Sequence, residues 1–170
     1  SLGIKLKHLE KFISNCGGDD ALKDKTTTEV KNEFIIPMTF INQNSYCEMI
    51  KDIEEYEEDV GEANVFISHA WNYKFLEVVD LLLEYFKDGN NNIFNNNSNN
   101  ESNIESKGED NESLRIKYEE IIIWFDIFTV NQHLTTTDFD HWSEAFQTPI
   151  KSIGRTVMVL SPWNDPKPLT

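Results

Sequence analysis

The sequence predicts an α/β fold with an open parallel sheet, arranged as βαβαβ and preceded by a helical N-terminal extension. Three short runs are apolar on both faces, which is typical of parallel strands covered by helices on each side. These runs are Asn64–Ser68, Glu120–Asp126 and Arg155–Ser161. Two longer amphipathic segments lie between them, at about Phe75–Phe86 and Phe139–Ile153. Strands that alternate with helices favour one parallel sheet with right-handed crossovers.

The first 60 residues are predicted to form a helical extension packed on that sheet. Apolar residues from Leu2 to Ile13 favour a first helix, which the glycine pair at 17 and 18 would end. The second and third predicted helices cover residues 26–36 and 44–56, where threonine, asparagine or serine can cap the first turn. We therefore divide the chain into a helical extension over residues 1–60 and an α/β domain over residues 61–170.

A low-complexity segment interrupts the α/β domain at about residues 88–114. Nine of the fourteen residues from Asn90 to Asn103 are asparagine. Such a composition cannot bury enough apolar surface to offset the entropy lost on ordering. Strong strand and helix patterns lie on both sides and need each other to complete a sheet. We therefore predict a disordered insertion within a loop and not a linker between domains.

The charge and composition of the chain argue against two classes of partner. Asp and Glu number 30 against 15 Lys and Arg, which gives a net charge of −15. Binding to nucleic acids or to anionic membranes requires a basic surface. No apolar run approaches the ~20 residues that span a bilayer, and two cysteines, Cys16 and Cys47, do not make a disulfide framework. We expect a cytoplasmic protein without nucleic-acid or membrane partners.

Three motifs resemble those of Toll/interleukin-receptor (TIR) domains, especially a divergent branch from microbial eukaryotes. Val65-Phe-Ile-Ser-His-Ala-Trp71 is similar to the opening strand and loop of that family. Ile123-Trp-Phe-Asp126 is similar to its second strand, and the run from Ala145 through Ser161 is similar to its second helix and its third strand, which ends in Ser. The resemblance covers about Ala63–Thr170 and implies a flavodoxin-like sheet. It also implies that the TIR-like domain is C-terminally incomplete.

The resemblance implies two different roles. Many TIR domains assemble with other TIR domains, whereas others cleave NAD⁺ between nicotinamide and ribose with a Glu on the helix after the third strand. That Glu has no counterpart before Thr170, so no catalytic residue is predicted in this chain. We expect an intracellular signalling domain that acts by self-assembly or by binding TIR-domain partners. The alternative is an NAD⁺ glycohydrolase whose catalytic Glu lies beyond Thr170, with NAD⁺ as substrate and no other cofactor.

Candidate ligand contacts lie at the carboxyl ends of the predicted strands, where open α/β sheets bind ligands. They are Ser68, His69, Trp71, Asp126, Asn131, Ser161 and Trp163. Structural roles compete with ligand binding at each position. Ser68 can cap a turn, His69 can be hydrogen bonded within the fold, and Trp71 can pack on a helix. Asp126 can bind a ribose or fix its own loop through an Asx turn, and Asn131 can stabilise the loop that it shares with Gln132 and His133.

Other chemistries lack a supporting pattern. Ser68 and His69 are adjacent at a strand end and should point in opposite directions, which disfavours a nucleophile–base pair. Cys47 has no local signature of a Cys-His pair. The group Asp138, Asp140 and His141 is not matched by a second cluster with metal-ligand spacing, so no metal site is predicted. No glycine-rich loop follows the first strand, which argues against a Rossmann or P-loop phosphate site.

Overall fold

The computed structural model describes residues 1–92, 117–134 and 139–160, which form a mixed α/β structure. The strands in these ranges are β1 Leu2–Lys5, β2 Val60–Glu62, β3 Val65–Ser68, β4 Ile122–Trp124 and β5 Thr156–Met158. The helices are α1 His8–Asn15, α2 Asp19–Leu22, α3 Thr27–Val30, α4 Ile36–Met38, α5 Tyr46–Ile50, α6 Phe75–Asn92, α7 Asp126–Thr129 and α8 Phe139–Ser152. A π-helical turn over Lys31–Ile35 joins α3 to α4, and 3₁₀ turns over Glu57–Asp59 and Tyr118–Glu120 precede β2 and β4.

The predicted α/β class is confirmed, but the sheet is mixed and not wholly parallel. Its strand order is β2-β1-β4-β3-β5. β3 pairs in parallel with β4 and with β5, as the βαβαβ pattern predicts. β1 is antiparallel to both of its neighbours, β2 and β4. Two strands from the first 62 residues therefore extend the sheet beyond the predicted three.

The prediction of helix at Leu2 is wrong, because Leu2–Lys5 forms β1 and the first helix begins only at His8. Leu2, Ile4 and Leu6 alternate with other residues, which is a strand period, but the apolar residues of α1 follow directly and mask it. Gly3 lies opposite Gly61 in the ladder. A Cβ on Gly3 would lie 2.7 Å from the carbonyl oxygen of Ile123, so this strand approaches its neighbour more closely than a side chain would permit.

The predicted starts of the other two N-terminal helices are confirmed by their caps. The side-chain oxygens of Thr26 and Ser45 each accept a hydrogen bond from the backbone N–H of the Glu three residues on. The carboxylate of that Glu accepts a hydrogen bond from the backbone N–H of the capping residue, which completes a capping box. The helix from Thr26 does not end at Ile36, because the π-helical turn leads directly into α4, which contains Pro37 in its first turn. The helix from Ser45 ends early, at Ile50.

The later elements follow the predicted order with shifted ends. α6 runs to Asn92, so it enters the predicted Asn-rich insertion, and the rest of that insertion lies outside the described residues. β5 is predicted to be buried, but Thr156 and Met158 are exposed. β5 pairs with β3 alone among the described strands and so forms an edge.

No helix in the described ranges has the length and apolar character needed to cross a membrane.

An aromatic cluster joins the N-terminal helices to the sheet. Phe128 on α7 lies at its centre and is fully buried. Its ring centroid is 4.9 Å from that of Phe12 on α1, 5.4 Å from that of Tyr46 on α5 and 5.5 Å from that of Phe125. Edge-to-face contacts of this kind add to the hydrophobic gain from burying the rings. Residues 1–50 therefore share one core with the α/β elements.

A buried polar cluster fastens α1 to the segment before β2. His8 is fully buried, and its Nδ1 lies 2.9 Å from the Oδ2 of Asp59 while its Nε2 lies 3.1 Å from the Tyr46 hydroxyl. The Nζ of Lys11 donates to the same Asp59 oxygen at 2.6 Å. These partners satisfy both ring nitrogens of His8, so this histidine has a structural role.

Candidate ligand-binding cavity

A cavity of about 600 Å³ opens at the carboxyl ends of β3 and β4. Its walls come from the end of β3 and the loop after it, from the start of α7, from α8 and from the π-helical turn. The lining residues are Lys31, Phe66, Ile67, Ser68, His69, Trp71, Asp126, Gln132, Phe146 and Ile150. Mostly apolar walls with a few convergent polar groups are typical of small-molecule sites.

Asp126 is buried at the start of α7 and accepts two hydrogen bonds. The indole Nε1 of Trp71 donates to its Oδ2 at 2.6 Å, and the backbone N–H of Ile127 donates to its Oδ1 at 2.8 Å. Burial raises the pKa of the Asp126 carboxyl to about 7, although the two donors oppose that change. The group is therefore divided between its neutral and charged forms near neutral pH. It fixes its loop and also lines the cavity.

His69 follows β3 directly and is a neutral side chain in this site. Burial lowers the pKa of its imidazole to about 4. Its ring contacts Phe125 edge-on at 4.8 Å between centroids and stacks on Trp71 at 6.3 Å. Its Nδ1 lies 4.0 Å from the Oδ1 of Asp126, which is too far for a hydrogen bond.

The Nε2 of His69 is buried without a hydrogen-bond partner among the described residues. Leaving a buried polar atom unpaired costs about 1–3 kcal/mol, so most such atoms have a partner. His69 lines the cavity, so this unpaired atom belongs to a side chain of the site. A neutral imidazole can donate or accept a hydrogen bond at this atom according to its tautomer.

Trp71 connects the cavity to the N-terminal helices. Its backbone carbonyl accepts hydrogen bonds from the Thr28 N–H at 3.1 Å and from the Thr28 hydroxyl at 3.3 Å. The Nζ of Lys31, one turn further along, lies 5.4 Å from the centre of the Trp71 ring. A cation at this distance from an indole face is in favourable electrostatic contact. The π-helical turn therefore contributes a positive charge to the wall.

The loop after α7 is held mainly by amide side chains. Gln132 lines the cavity, and its Nε2 donates to the backbone oxygens of Asp126 and Val130 at 3.0 Å each. The Nδ2 of Asn131 donates to the backbone oxygen of Gln43 at 2.8 Å, and its Oδ1 accepts from the N–H of His133 at 2.9 Å. Asn131 thus stabilises the loop and does not line the cavity.

The structure brings together four of the seven candidate residues, namely Ser68, His69, Trp71 and Asp126. Asn131 lies on the neighbouring loop, and Ser161 and Trp163 lie outside the described residues. Ser68 and His69 both line the cavity despite their adjacency. Lys31 was not among the predicted site residues. The local sequence indicates only that Lys31 belongs to a helix that begins at a threonine cap. Nothing in that segment indicates its proximity to Trp71.

Cysteine and metal chemistry have no support in the described ranges. Burial raises the pKa of the Cys47 thiol well above its ordinary value, so Cys47 is not a thiolate nucleophile at neutral pH. Cys16 is also a free thiol, and burial raises its pKa to about 12. No group of three or more His, Cys, Asp or Glu side chains suited to a metal ion is found in the part of the chain that is described.

Comparisons with protein-family models, with curated proteins and with solved structures found no match to this chain.

Proposed function

We propose that this chain is a TIR-like signalling domain with a flavodoxin-like sheet, and that its cavity binds NAD⁺ or a closely related nicotinamide nucleotide. The observation that carries the proposal is the cavity at the carboxyl ends of β3 and β4, which is lined by His69, a side chain whose buried Nε2 has no hydrogen-bond partner among the described residues. Sites of this kind in open α/β sheets bind nucleotides. The aromatic side chains of Phe66, Trp71 and Phe146 line the cavity and can contact heterocyclic rings.

Binding is favoured over cleavage in the described part of the site. Cleavage at the nicotinamide–ribose bond needs a carboxylate that stabilises an oxocarbenium-like centre. Asp126 is the one carboxyl among the lining residues that the structure describes, and Trp71 and Ile127 already donate to its oxygens. Its raised pKa further lowers the share of the charged form. We therefore expect NAD⁺ to bind without release of nicotinamide.

Isothermal titration of the chain with NAD⁺ tests this function. We expect saturable one-to-one binding and its loss in Ile150→Glu, because a carboxylate on that wall narrows the cavity and repels phosphates. Ile150 is 50% exposed, so the substitution should leave the fold intact. Ile41→Glu is the matched control, since Ile41 is 91% exposed and does not line the cavity. Absence of binding by the wild type, or equal binding by Ile150→Glu, would contradict the proposal.

Homotypic assembly is a second candidate function, favoured by the edge of the sheet. Met158 at the end of β5 and Leu160 two residues beyond it are exposed, and so are Leu81 and Tyr85 on α6. Together they border a groove of about 330 Å³. Exposed apolar side chains beside an open strand edge are a common association surface. A second copy, or another TIR-type domain, is the partner that the resemblance implies.

Light scattering over a range of protein concentrations tests assembly. We expect the mean mass to rise with concentration at physiological ionic strength (~0.15 M), where salt screens the repulsion between acidic chains. Met158→Lys should reduce that rise, because a charge on the strand edge blocks pairing. Ile41→Lys serves as the control for adding one positive charge elsewhere on the surface. If the mean mass of the wild type stays at the mass of the monomer at every concentration, assembly by this chain is refuted.

A further inference from the structure

Lys31 carries a positive charge that the described residues do not neutralise. The chain has two acidic residues for every basic one, and nearby Lys25 is paired with Glu33 at 2.6 Å. Lys31 makes no salt bridge in the described ranges and lies over the ring of Trp71. A lysine that contacts an aromatic ring and has no carboxylate partner is still able to form an ion pair with a bound anion.

The position of Lys31 is set by backbone contacts between two distant segments. The N–H of Thr27 donates to the carbonyl of Tyr73 at 3.0 Å, and Thr28 bonds to the carbonyl of Trp71. The N–H of Phe75 donates back to the carbonyl of Lys25 at 2.9 Å. Lys31 lies one helical turn beyond these anchors. These contacts set the backbone at Lys31 close to Trp71, and the Lys31 side chain lines the cavity.

Two of the polar side chains that line the cavity lie beside Trp71. His69 is neutral, and its buried Nε2 has no hydrogen-bond partner among the described residues. Lys31 is half-buried and charged, and its ammonium can pair with a phosphate. Trp71 lies between them, because it stacks on His69 and contacts Lys31. A flat ring that bears an anionic arm matches this arrangement.

We propose that Lys31 is the specificity-determining residue that selects phosphate-bearing ligands for this cavity. The N-terminal helices are then part of the binding site and not only a packed extension. This inference rests on the proposed binding of nicotinamide nucleotides, and it adds the residue that distinguishes a nucleotide from its nucleoside.

Titration with a matched pair of ligands tests this role. Nicotinamide mononucleotide and nicotinamide riboside differ only by one phosphate. For the wild type we expect the mononucleotide to bind about tenfold more tightly, as one charge-assisted hydrogen bond provides. Lys31→Gln should remove that preference and leave binding of the riboside within about twofold. Lys31→Arg should keep it, because the charge is retained. Lys23→Gln, at an exposed lysine of the same N-terminal segment, should behave as the wild type.

The outcomes separate this inference from the function on which it rests. If Lys31→Gln keeps the preference for the mononucleotide, Lys31 does not select phosphate, although ligand binding stands. If the variant weakens both ligands equally, Lys31 acts only by positioning Trp71, and the inference is again overturned. If the wild type binds neither ligand nor NAD⁺, both proposals fail. Added salt should weaken mononucleotide binding in the wild type and have little effect on Lys31→Gln.

Discussion

Replacing Phe128 with alanine is expected to lower the free energy of unfolding by about 3–5 kcal/mol, which is a large share of the total stability of an ordinary domain. The Phe128 side chain is fully buried and touches rings from α1, α5 and the end of the sheet. Its removal leaves a cavity where the N-terminal helices meet the α/β elements. Surrounding rings cannot close that space without losing their own contacts.

Urea denaturation followed by circular dichroism measures the effect. For Phe128→Ala we expect one cooperative transition at a much lower urea concentration, because residues 1–50 and the sheet share the same core. Phe40→Ala is the matched control, since Phe40 is 66% exposed and its truncation should change stability by no more than about 0.5 kcal/mol. A loss below about 1 kcal/mol for Phe128→Ala would show that the cluster does not join the two parts.

Asp126→Asn is expected to change how stability depends on pH. The pKa of Asp126 in the folded chain is about 7, above its ordinary value of 3.8, so the folded state holds the proton more tightly than the unfolded state. This group therefore contributes stability that is fully present below about pH 4 and is lost as the pH rises through about 7. Asparagine does not titrate and lacks this contribution.

The measurement is the difference in unfolding free energy between wild type and Asp126→Asn from about pH 4 to about pH 8. We expect the wild type to lose stability relative to the variant as the pH rises, by on the order of a few kcal/mol. His69 contributes in the opposite direction, because its lowered pKa makes the fold more stable as the pH rises from about 4 to 6.5. That term is present in both proteins and largely cancels. A difference that does not vary with pH would mean that Asp126 is charged throughout.

The strands and helices of the α/β part could be predicted because their signals are local. The apolar runs at β3 and β4 and the amphipathic pattern of α6 and α8 each lie within one element. The caps at Thr26 and Ser45 are local as well, since the bonded groups are three residues apart. Patterns of this kind depend on how one segment buries its own faces.

The role of β1 could not be predicted in the same way. A four-residue strand has little signal of its own, and the apolar spacing of α1 follows it without a break. Leu2–Lys5 is a strand because β2 and β4 supply partners on both sides, and those partners are far away in the chain. Placement of this segment inside the sheet is therefore a tertiary effect that outweighs the local pattern.

In the candidate site, too, some features follow from local sequence patterns and others depend on distant segments. That Ser68, His69, Trp71 and Asp126 gather at one edge of the sheet could be predicted from the sequence, because parallel strands bring their carboxyl ends together. The burial of Asp126 against the Trp71 indole, the unpaired Nε2 of His69 and the position of Lys31 over Trp71 became known only from the folded chain. Burial, pKa and the pairing of charges depend on groups from distant segments, and no local pattern specifies those groups.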